Sequence, residues 1–154
     1  MAVVTGANKG IGFESARLLG KEGLKVVITS RNITQGQAAS AKLQSLEPSG
    51  SFTTCQLDIT DAASVAACAE FLRTSFKKVD ILINNAAVAL EFQGIQLNAD
   101  AAQQTMDCNV KGTRAITEAV LPCMQDGGAI VNICSQCALQ LVASSCTSRA
   151  HCGQ

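Results

Sequence analysis

The sequence predicts an α/β fold, a doubly wound parallel sheet with strand order 3-2-1-4-5. Five short apolar segments alternate with stretches of helical periodicity, a pattern typical of parallel strands joined by right-handed helical crossovers. Several of these segments carry no alternating polar residues, which is typical of strands covered on both faces of a sheet. A glycine-rich segment after the first strand indicates a tight turn into the first helix.

Each element follows from local signals in chain order. We predict strands at residues 2–5, 25–29, 52–57, 79–83 and 129–133, and helices at residues 11–21, 34–46, 61–76 and 98–124. Thr34 is expected to cap the second helix, and Asp61 is favourable at the start of the third. The long fourth helix is expected to bend near Gly112 or Pro122, after a loop at residues 86–97.

These elements are expected to form one incomplete domain at residues 1–135, followed by an irregular tail at residues 136–154. The residues after Ser135 are rich in serine, cysteine and alanine and show no clear period. The sheet is therefore expected to be truncated after its fifth strand. A fifth strand without a neighbour would leave an apolar edge with one face partly bare, a template for self-association.

Composition narrows the functional class. The 154 residues are 47% hydrophobic and 16% charged, with a formal net charge of zero, which argues against a disordered chain and a nucleic-acid-binding protein. No apolar run approaches the ~20 residues of a membrane span, and the glycine loop at Gly6 leaves no room for a secretory signal. The expected location is cytoplasmic, without a nucleic-acid or membrane partner.

The eight cysteines are interpreted as reduced thiols, because a small disulfide scaffold would carry more of them. Five are assigned to strands and helices, where cysteine behaves as a small buried hydrophobe: Cys55, Cys68, Cys108, Cys123 and Cys134. The tail adds Cys137, Cys146, His151 and Cys152. The only paired spacing, Cys134-x-x-Cys137, matches no standard zinc finger, so no metal site is expected.

A phosphate-binding loop is predicted at Thr5-Gly6-Ala7-Asn8-Lys9-Gly10-Ile11-Gly12. Glycines between a strand and a helix allow a tight turn, let a pyrophosphate approach the backbone, and direct helix N–H groups toward it. The spacing differs from Gly-x-Gly-x-x-Gly, so the prediction depends on its place between strand and helix. An ordinary glycine-rich turn is the alternative. The candidate cofactor-binding residues here are Gly6, Asn8, Lys9, Gly10, Ile11 and Gly12.

The end of the second strand favours NADP(H) over NAD(H). An NAD site usually offers an acidic residue there to the ribose, whereas this chain has Arg31. The Arg31 guanidinium can bind a 2′-phosphate in a forked geometry, and Lys9 can add a second positive charge. The alternative is that both are solvated surface cations.

Two further groups follow the third and fourth strands. Asp58, which precedes Ile59, could accept a hydrogen bond from an adenine amino group, or could simply be a capping carboxylate. Asn85, with Ala86 and Ala87, follows the fourth strand, where an amide can bind neighbouring backbone and small residues leave space beside a ribose.

Taken together, these motifs resemble the short-chain dehydrogenase/reductase family, whose signatures are Thr-Gly-x-x-x-Gly-x-Gly, Asn-Asn-Ala, an Asn in a helix and a Ser after the fifth strand. All four occur in order up to about residue 135, and the residues that form them are most similar to those of the carbonyl reductase branch. The resemblance implies a Rossmann-type fold, NADP(H) as cofactor and a small-molecule carbonyl substrate. It also implies that Asn109 holds a water in a proton relay, and that Ser135 hydrogen-bonds the substrate carbonyl and its developing oxyanion.

The resemblance stops at the family's proton donor, a Tyr followed four residues later by a Lys. The chain has no tyrosine, and at the minimal family spacing after Ser135 these positions hold Ser148 and Cys152. A serine hydroxyl is a far weaker acid than a tuned phenol. We therefore expect an NADPH-dependent carbonyl reductase by lineage that is inactive as this chain. The alternatives are a catalytically silent nucleotide-binding or interaction module and a non-functional fragment.

Overall fold

The computed structural model describes residues 1–90 and 98–135 and shows a five-stranded parallel sheet with helices on both faces. The strands are β1 Ala2–Val4, β2 Lys25–Ser30, β3 Ser51–Gln56, β4 Val79–Asn84 and β5 Met124–Asn132. The helices are α1 Gly10–Lys21, α2 Ile33–Leu46, α3 Ala62–Ser75, α4 Ala99–Met106 and α5 Thr113–Val120. The order β3-β2-β1-β4-β5 confirms the predicted topology.

β1 lies at the centre of the sheet, where Val3 is paired with Val27 of β2 on one side and with Leu82 of β4 on the other. These three side chains are fully buried, because helices cover both faces of the central strands. All the strands run in the same direction, so the loops that follow them meet at one edge of the sheet.

Two hydrophobic clusters join the sheet to its two helical layers. On one face, α1 and α2 pack against β1, β2 and β4 through Phe13, Ala16, Ala39 and Leu43. On the other face, α3 and α5 pack against β1 to β4 through Val65, Cys68, Leu72, Ile116 and Val120. Each fully buried large aliphatic side chain contributes about 1.5–3 kcal/mol, so these clusters are the main source of the sheet's stability.

The second helix begins earlier than predicted. Asn32 is its N-cap, because the Asn32 side chain accepts a hydrogen bond of 3.0 Å from the Gln35 backbone N–H. Thr34 therefore lies within the first turn, and its prediction as the cap is wrong. The acidic residue expected to open the third helix, Asp61, is the N-cap of α3 and accepts a hydrogen bond of 3.0 Å from the Ala63 N–H.

The predicted long fourth helix consists of several segments. α4 ends at Met106, a π-helix occupies Asp107–Gly112, and α5 follows at once. Gly112, one of the two positions where a bend was predicted, is the last residue of the π-helix, a rare form that is frequent at functional sites. A Cβ at Gly112 would lie only 2.8 Å from the Ile59 carbonyl oxygen, so this helix approaches the loop after β3 more closely than a larger residue allows.

β5 differs from its prediction in extent and in exposure. It begins at Met124, well before the predicted Ala129, and includes Gly127, whose φ is +78°. Ile130 and Val131 point to opposite faces of the sheet and are 38% and 42% exposed. Among the described residues the strand is thus partly exposed on both faces, whereas the sequence led us to expect one partly bare face.

Cys55, Cys68 and Cys108 are buried free thiols, whereas Cys134 follows β5 and is exposed, which corrects its assignment to the interior of an element. The tail at 136–154, including the positions of the missing Tyr and Lys, lies outside the described residues.

None of the helices in the described ranges has the length and hydropathy needed to cross a membrane. Those ranges also contain no cluster of three or more metal-ligating side chains.

Candidate functional site

The loops after β1, β2, β3 and β4 surround a cavity of about 720 Å³ at the carboxyl edge of the sheet. This volume is typical of a small-molecule or cofactor site. Most of the predicted cofactor-binding residues line it: Gly6, Asn8, Lys9, Gly10, Arg31, Asp58, Ile59, Asn85, Ala86 and Ala87. The lining does not include four other predicted residues: Ile11, Gly12, Asn109 and Ser135.

The glycine loop presents bare backbone to this cavity at the start of α1. Gly10 has φ +62°, and a Cβ there would meet no atom within 4 Å. The N-cap residue Lys9 makes no side-chain capping bond, and the first turn of α1 carries no acidic residue. Because the first N–H groups of a helix have no partner within the helix and carry partial positive charge, this terminus has the properties of an anion-binding site.

Asn85 fastens the glycine loop to the loop after β4. Its Nδ2 donates hydrogen bonds to the Thr5 and Gly6 carbonyl oxygens, at 2.9 and 3.1 Å. A Cβ at Gly12 would lie 2.4 Å from the same nitrogen, which explains why that position is glycine although it does not line the cavity. The Asn85 side chain thus shapes the site by holding backbone.

Thr5, the first residue of the predicted phosphate-binding loop, has a structural role in the site that was not assigned to it from the sequence. It is 1% exposed, and its hydroxyl oxygen accepts hydrogen bonds from the Asn85 and Ala86 N–H groups, at 3.0 and 2.9 Å. Thr29 has a related role on the other side, where its hydroxyl accepts a bond of 3.2 Å from the Gly6 N–H. A threonine close to the end of β1 and of β2 was the sequence signal that could have identified Thr5 and Thr29.

Two cations flank the cavity. Lys9 and Arg31 both line it and are exposed, and no ion pair of either residue occurs among the salt bridges of the described ranges. Asn8 is held beside them by a hydrogen bond of 3.2 Å from its Nδ2 to Gln35 Oε1. Lys9 and Arg31 thus bring two positive charges to the lining of the cavity.

Asp58 lines the same cavity as Arg31 and is ionised at neutral pH. Its Oδ1 accepts hydrogen bonds from the Thr60 hydroxyl at 2.7 Å and the Thr60 N–H at 2.9 Å. The Thr60 side chain is the main cause of a lowered pKa for Asp58, to which the positive charge of Arg31 adds. The Asp58 backbone N–H donates to Ser64 Oγ at 2.9 Å, so the loop after β3 is tied to α3.

Asn109 makes a two-way contact with the loop after β4. The Val88 N–H donates to Asn109 Oδ1 at 2.8 Å, and Asn109 Nδ2 donates to the Val88 carbonyl oxygen at 2.7 Å. The amide therefore positions that loop, and it lies within the π-helix. If Asn109 also holds a relay water, as the resemblance implies, that water would bind a remaining lone pair of the Asn109 amide oxygen or the Asn109 backbone. Ser135, the other expected catalytic residue, is exposed and lies shortly after the end of β5.

The π-helix and the end of α4 form a wall of the cavity that the sequence analysis missed. Gln104, Asp107 and Cys108 contribute to it, together with Thr60. Burial is the main cause of a raised pKa for the Cys108 thiol, so this thiol is protonated and of low reactivity. No short motif marks these residues, because their common direction depends on the helix geometry.

A second, more open groove lies between α1 and α2 and shares Asn8, Lys9 and Gly10 with the cavity. Ile11, the remaining residue of the predicted loop, lies there and is 64% exposed. Lys42 extends over the Phe13 ring, with its Nζ 5.4 Å from the centroid. Ile11 therefore faces this groove and not the space beside Asp58.

The topology and the cavity at its switch point define a Rossmann-type α/β domain. The family model described as short chain dehydrogenase matches residues 1–147. The chain therefore belongs to the short-chain dehydrogenase/reductase family, as the sequence motifs indicated.

Individual relatives agree with this assignment. The chain is 39% identical over 146 residues to carbonyl reductase (NADPH) 1 from Oryctolagus cuniculus, covering 94% of this chain and 52% of that protein. Among solved structures it is similar to a menthone neomenthol reductase from Mentha piperita, with a TM-score of 0.77 and 32% identity, covering 88% of this chain and 60% of that one. A metagenomic short-chain oxidoreductase in complex with NADP gives a TM-score of 0.74 at 29% identity, with 87% and 61% covered. The chain spans about half the length of the curated relatives it matches.

Proposed function

We propose that residues 1–135 are the NADPH-binding part of a carbonyl-reductase-type member of the family. The observation that carries this proposal is that the glycine loop, the two cations and Asp58 line the same cavity. The first N–H groups of α1 would bind the pyrophosphate, Arg31 and Lys9 the 2′-phosphate, and Asp58 the adenine amino group. Ala86 and Ala87 leave space beside the ribose. The relatives named as NADPH carbonyl reductases and the solved NADP complex support the same cofactor.

The choice of cofactor is tested by Arg31→Asp. Loss of one charge-assisted hydrogen bond costs about 1.5–3 kcal/mol, so NADPH affinity should fall about 10- to 150-fold, while NADH affinity should change little. Arg114→Asp is the matched control, because it makes the same change of charge on α5 at a residue that does not line the cavity. Calorimetric titration with both cofactors measures the effect. Equal affinities for NADPH and NADH in the unaltered chain would refute the assignment.

The reaction we propose for the lineage is reduction of a small-molecule carbonyl. Bound NADPH supplies a hydride to the carbonyl carbon. Ser135 would donate a hydrogen bond to the carbonyl oxygen and stabilise its developing negative charge, and Asn109 would help to order a proton-relay water. The proton itself needs an acid, and the family's tyrosine has no counterpart among the 154 residues. We therefore propose that this chain by itself binds NADPH without reducing carbonyls by the family mechanism.

Turnover assays distinguish these possibilities. General-acid catalysis is typically worth about 10²–10⁴-fold, so NADPH absorbance should stay constant with aldehydes, ketones and quinones. A version extended by a family-like segment with Tyr and Lys should gain activity. Turnover by the unextended chain that disappears in Ser135→Ala would show another source of the proton, and the inactive interpretation would be abandoned.

The absence of tyrosine from the sequence also favours a second candidate function, a catalytically silent nucleotide-binding or interaction module. Its expected behaviour is saturable NADPH binding without restored turnover in the extended chain. A non-functional fragment would instead show no saturable binding, so the same titration separates it from both other interpretations.

A further inference from the structure

The groove between α1 and α2 has the features of a second binding site, next to the proposed cofactor cavity. We propose that it binds a small aromatic carboxylate, with the aromatic ring against Phe13 and the carboxylate beside Lys42. The groove shares Asn8, Lys9 and Gly10 with the cavity. A molecule bound in the groove therefore lies at the edge of the cofactor site.

Each of the two helices contributes one face to the groove. α1 supplies Ile11, Ser15 and Leu18, and residues at such spacings lie on the same side of a helix. α2 supplies a second set with helical spacing, which has only alanines at its middle: Gln35, Ala38, Ala39 and Lys42. Because alanine side chains are short, a trough remains between the helices. From Ile11 to Leu18 it is about 10 Å long, at 1.5 Å per residue.

The groove exposes apolar surface that the fold does not bury. Ile11 is 64% exposed and Leu18 is 52% exposed, whereas Phe13 is 8% exposed and belongs to the core. An apolar ligand that covers Ile11 and Leu18 removes this surface from water, which favours binding. Aromatic rings pack well against each other in offset or edge-to-face arrangements. The Phe13 ring in the lining therefore favours an aromatic ligand.

The charges of the groove favour an anion. The Lys42 Nζ lies 5.4 Å from the centroid of the Phe13 ring, which is within the ~6 Å of a cation–π contact and holds the charge above apolar surface. Neither Lys42 nor Lys9 takes part in a salt bridge within the described part of the chain. The Glu14 carboxylate, which also lines the groove, is paired with Arg17 at 2.8 Å. Two cations are thus available to a ligand carboxylate.

The size of the groove favours a small molecule over a protein partner. Twelve residues line it, whereas a stable protein interface involves about 20–30 residues on each side. A mostly apolar lining with a few charged groups is also typical of small-molecule sites. The occupant that fits is therefore a compact molecule with one aromatic group and one negative charge.

Occupation of the groove should weaken NADPH binding, a consequence that rests on the proposed function. Lys9 is the cation that the groove and the cavity share, so a carboxylate in the groove competes for it with the 2′-phosphate and also repels that phosphate. NADH has no 2′-phosphate and should be affected less. Because coupling between two sites is reciprocal, NADPH should weaken binding of the carboxylate by the same factor.

NMR of the full chain with labelled isoleucine and leucine methyl groups tests the site, with naphthoate as the probe. We expect saturable shifts of the Ile11 and Leu18 methyl signals. Ile59 in the cofactor cavity and Ile130 on β5 report binding elsewhere. Naphthamide has the same ring system without the charge. It should bind roughly fivefold more weakly, the effect of losing one exposed ion pair.

Two pairs of variants test the charge and the space separately. Lys42→Gln should weaken naphthoate binding roughly fivefold, whereas Lys21→Gln should not, because Lys21 is absent from both sets of described lining residues. Ala38→Phe fills the trough and should abolish binding. Its control is Ala67→Phe, which places the same side chain on an exposed position of α3.

Several results would overturn the proposal. These are equal affinities for naphthoate and naphthamide, shifts that do not saturate or are largest at Ile59 or Ile130, and undiminished binding by Ala38→Phe. If Ala38→Phe does not fold, the naphthamide comparison and Lys42→Gln still decide. Unchanged NADPH affinity at saturating naphthoate would overturn the coupling. Lack of NADPH binding without naphthoate would count against the proposed function and not against the groove site.

Discussion

Thr5→Val should destabilise the chain although valine has nearly the same shape. The Thr5 hydroxyl oxygen accepts two hydrogen bonds of 3.0 and 2.9 Å, from the N–H groups of Asn85 and Ala86. Valine would leave both donors without this partner in a site where residue 5 is 1% exposed. An unsatisfied buried donor costs about 1–3 kcal/mol, and both groups here are partly buried, so we expect a loss of about 2–4 kcal/mol in the free energy of unfolding.

Thr29→Val is the matched control. The Thr29 hydroxyl accepts one longer bond of 3.2 Å, from the Gly6 N–H, so its loss should cost about 1 kcal/mol. Urea denaturation followed by far-ultraviolet circular dichroism measures both variants, because the chain has no tryptophan or tyrosine for fluorescence. Thr5→Val within 0.5 kcal/mol of the parent, or no more destabilised than Thr29→Val, would show that Thr5 does not hold the loop after β4 (the margin reflects typical surface substitutions, roughly ±0.5 kcal/mol).

Two further predictions concern charge and the sheet edge. Thr60 is the main cause of the lowered pKa of Asp58. The ionised Asp58 therefore stabilises the fold above about pH 4, and this stabilisation is lost as the pH falls through the lowered folded-state pKa. In Thr60→Val, an NMR titration should show the pKa of Asp58 moving back up, and an unchanged value would refute the role of Thr60. We also expect the isolated chain to self-associate through β5, whose Val131 is 42% exposed; Val131→Lys should increase the monomer fraction in sedimentation more than Leu121→Lys does, and a monodisperse parent monomer would contradict the expectation.

The topology could be predicted from the sequence because it depends on a repeated pattern. The central parts of strand segments, such as residues 26–28 and 81–83, are wholly apolar, and the strands alternate with helical segments. Short right-handed connections then leave few arrangements. The helix start at Asn32 could also have been predicted, since asparagine is as good a cap as threonine. The error came from choosing between two adjacent signals.

Other features could not be predicted, because they depend on contacts distant in sequence. The two bonds between Asn109 and Val88 cannot be derived from the Asn109 motif, which specifies a residue and not its partner. The close approach of Gly112, the last residue of the π-helix, to the Ile59 carbonyl joins residues that are far apart in the sequence. The exposure of both faces of β5 depends on which other segments cover the strand, and the hydrophobicity of the strand itself does not indicate this.

The π-helix at Asp107–Gly112 adjusts the phase between two helices that face different neighbours. Gln104, Asp107 and Cys108 face the cavity, whereas Ile116 and Val120 pack into the core against the sheet. Each residue of an α-helix turns the following side chains by about 100°, and a π-turn accommodates one additional residue. Deleting one residue here would still leave a continuous helix. It would, however, rotate one end relative to the other, so that the chain would keep either its cavity wall or its core contacts in register and lose the other.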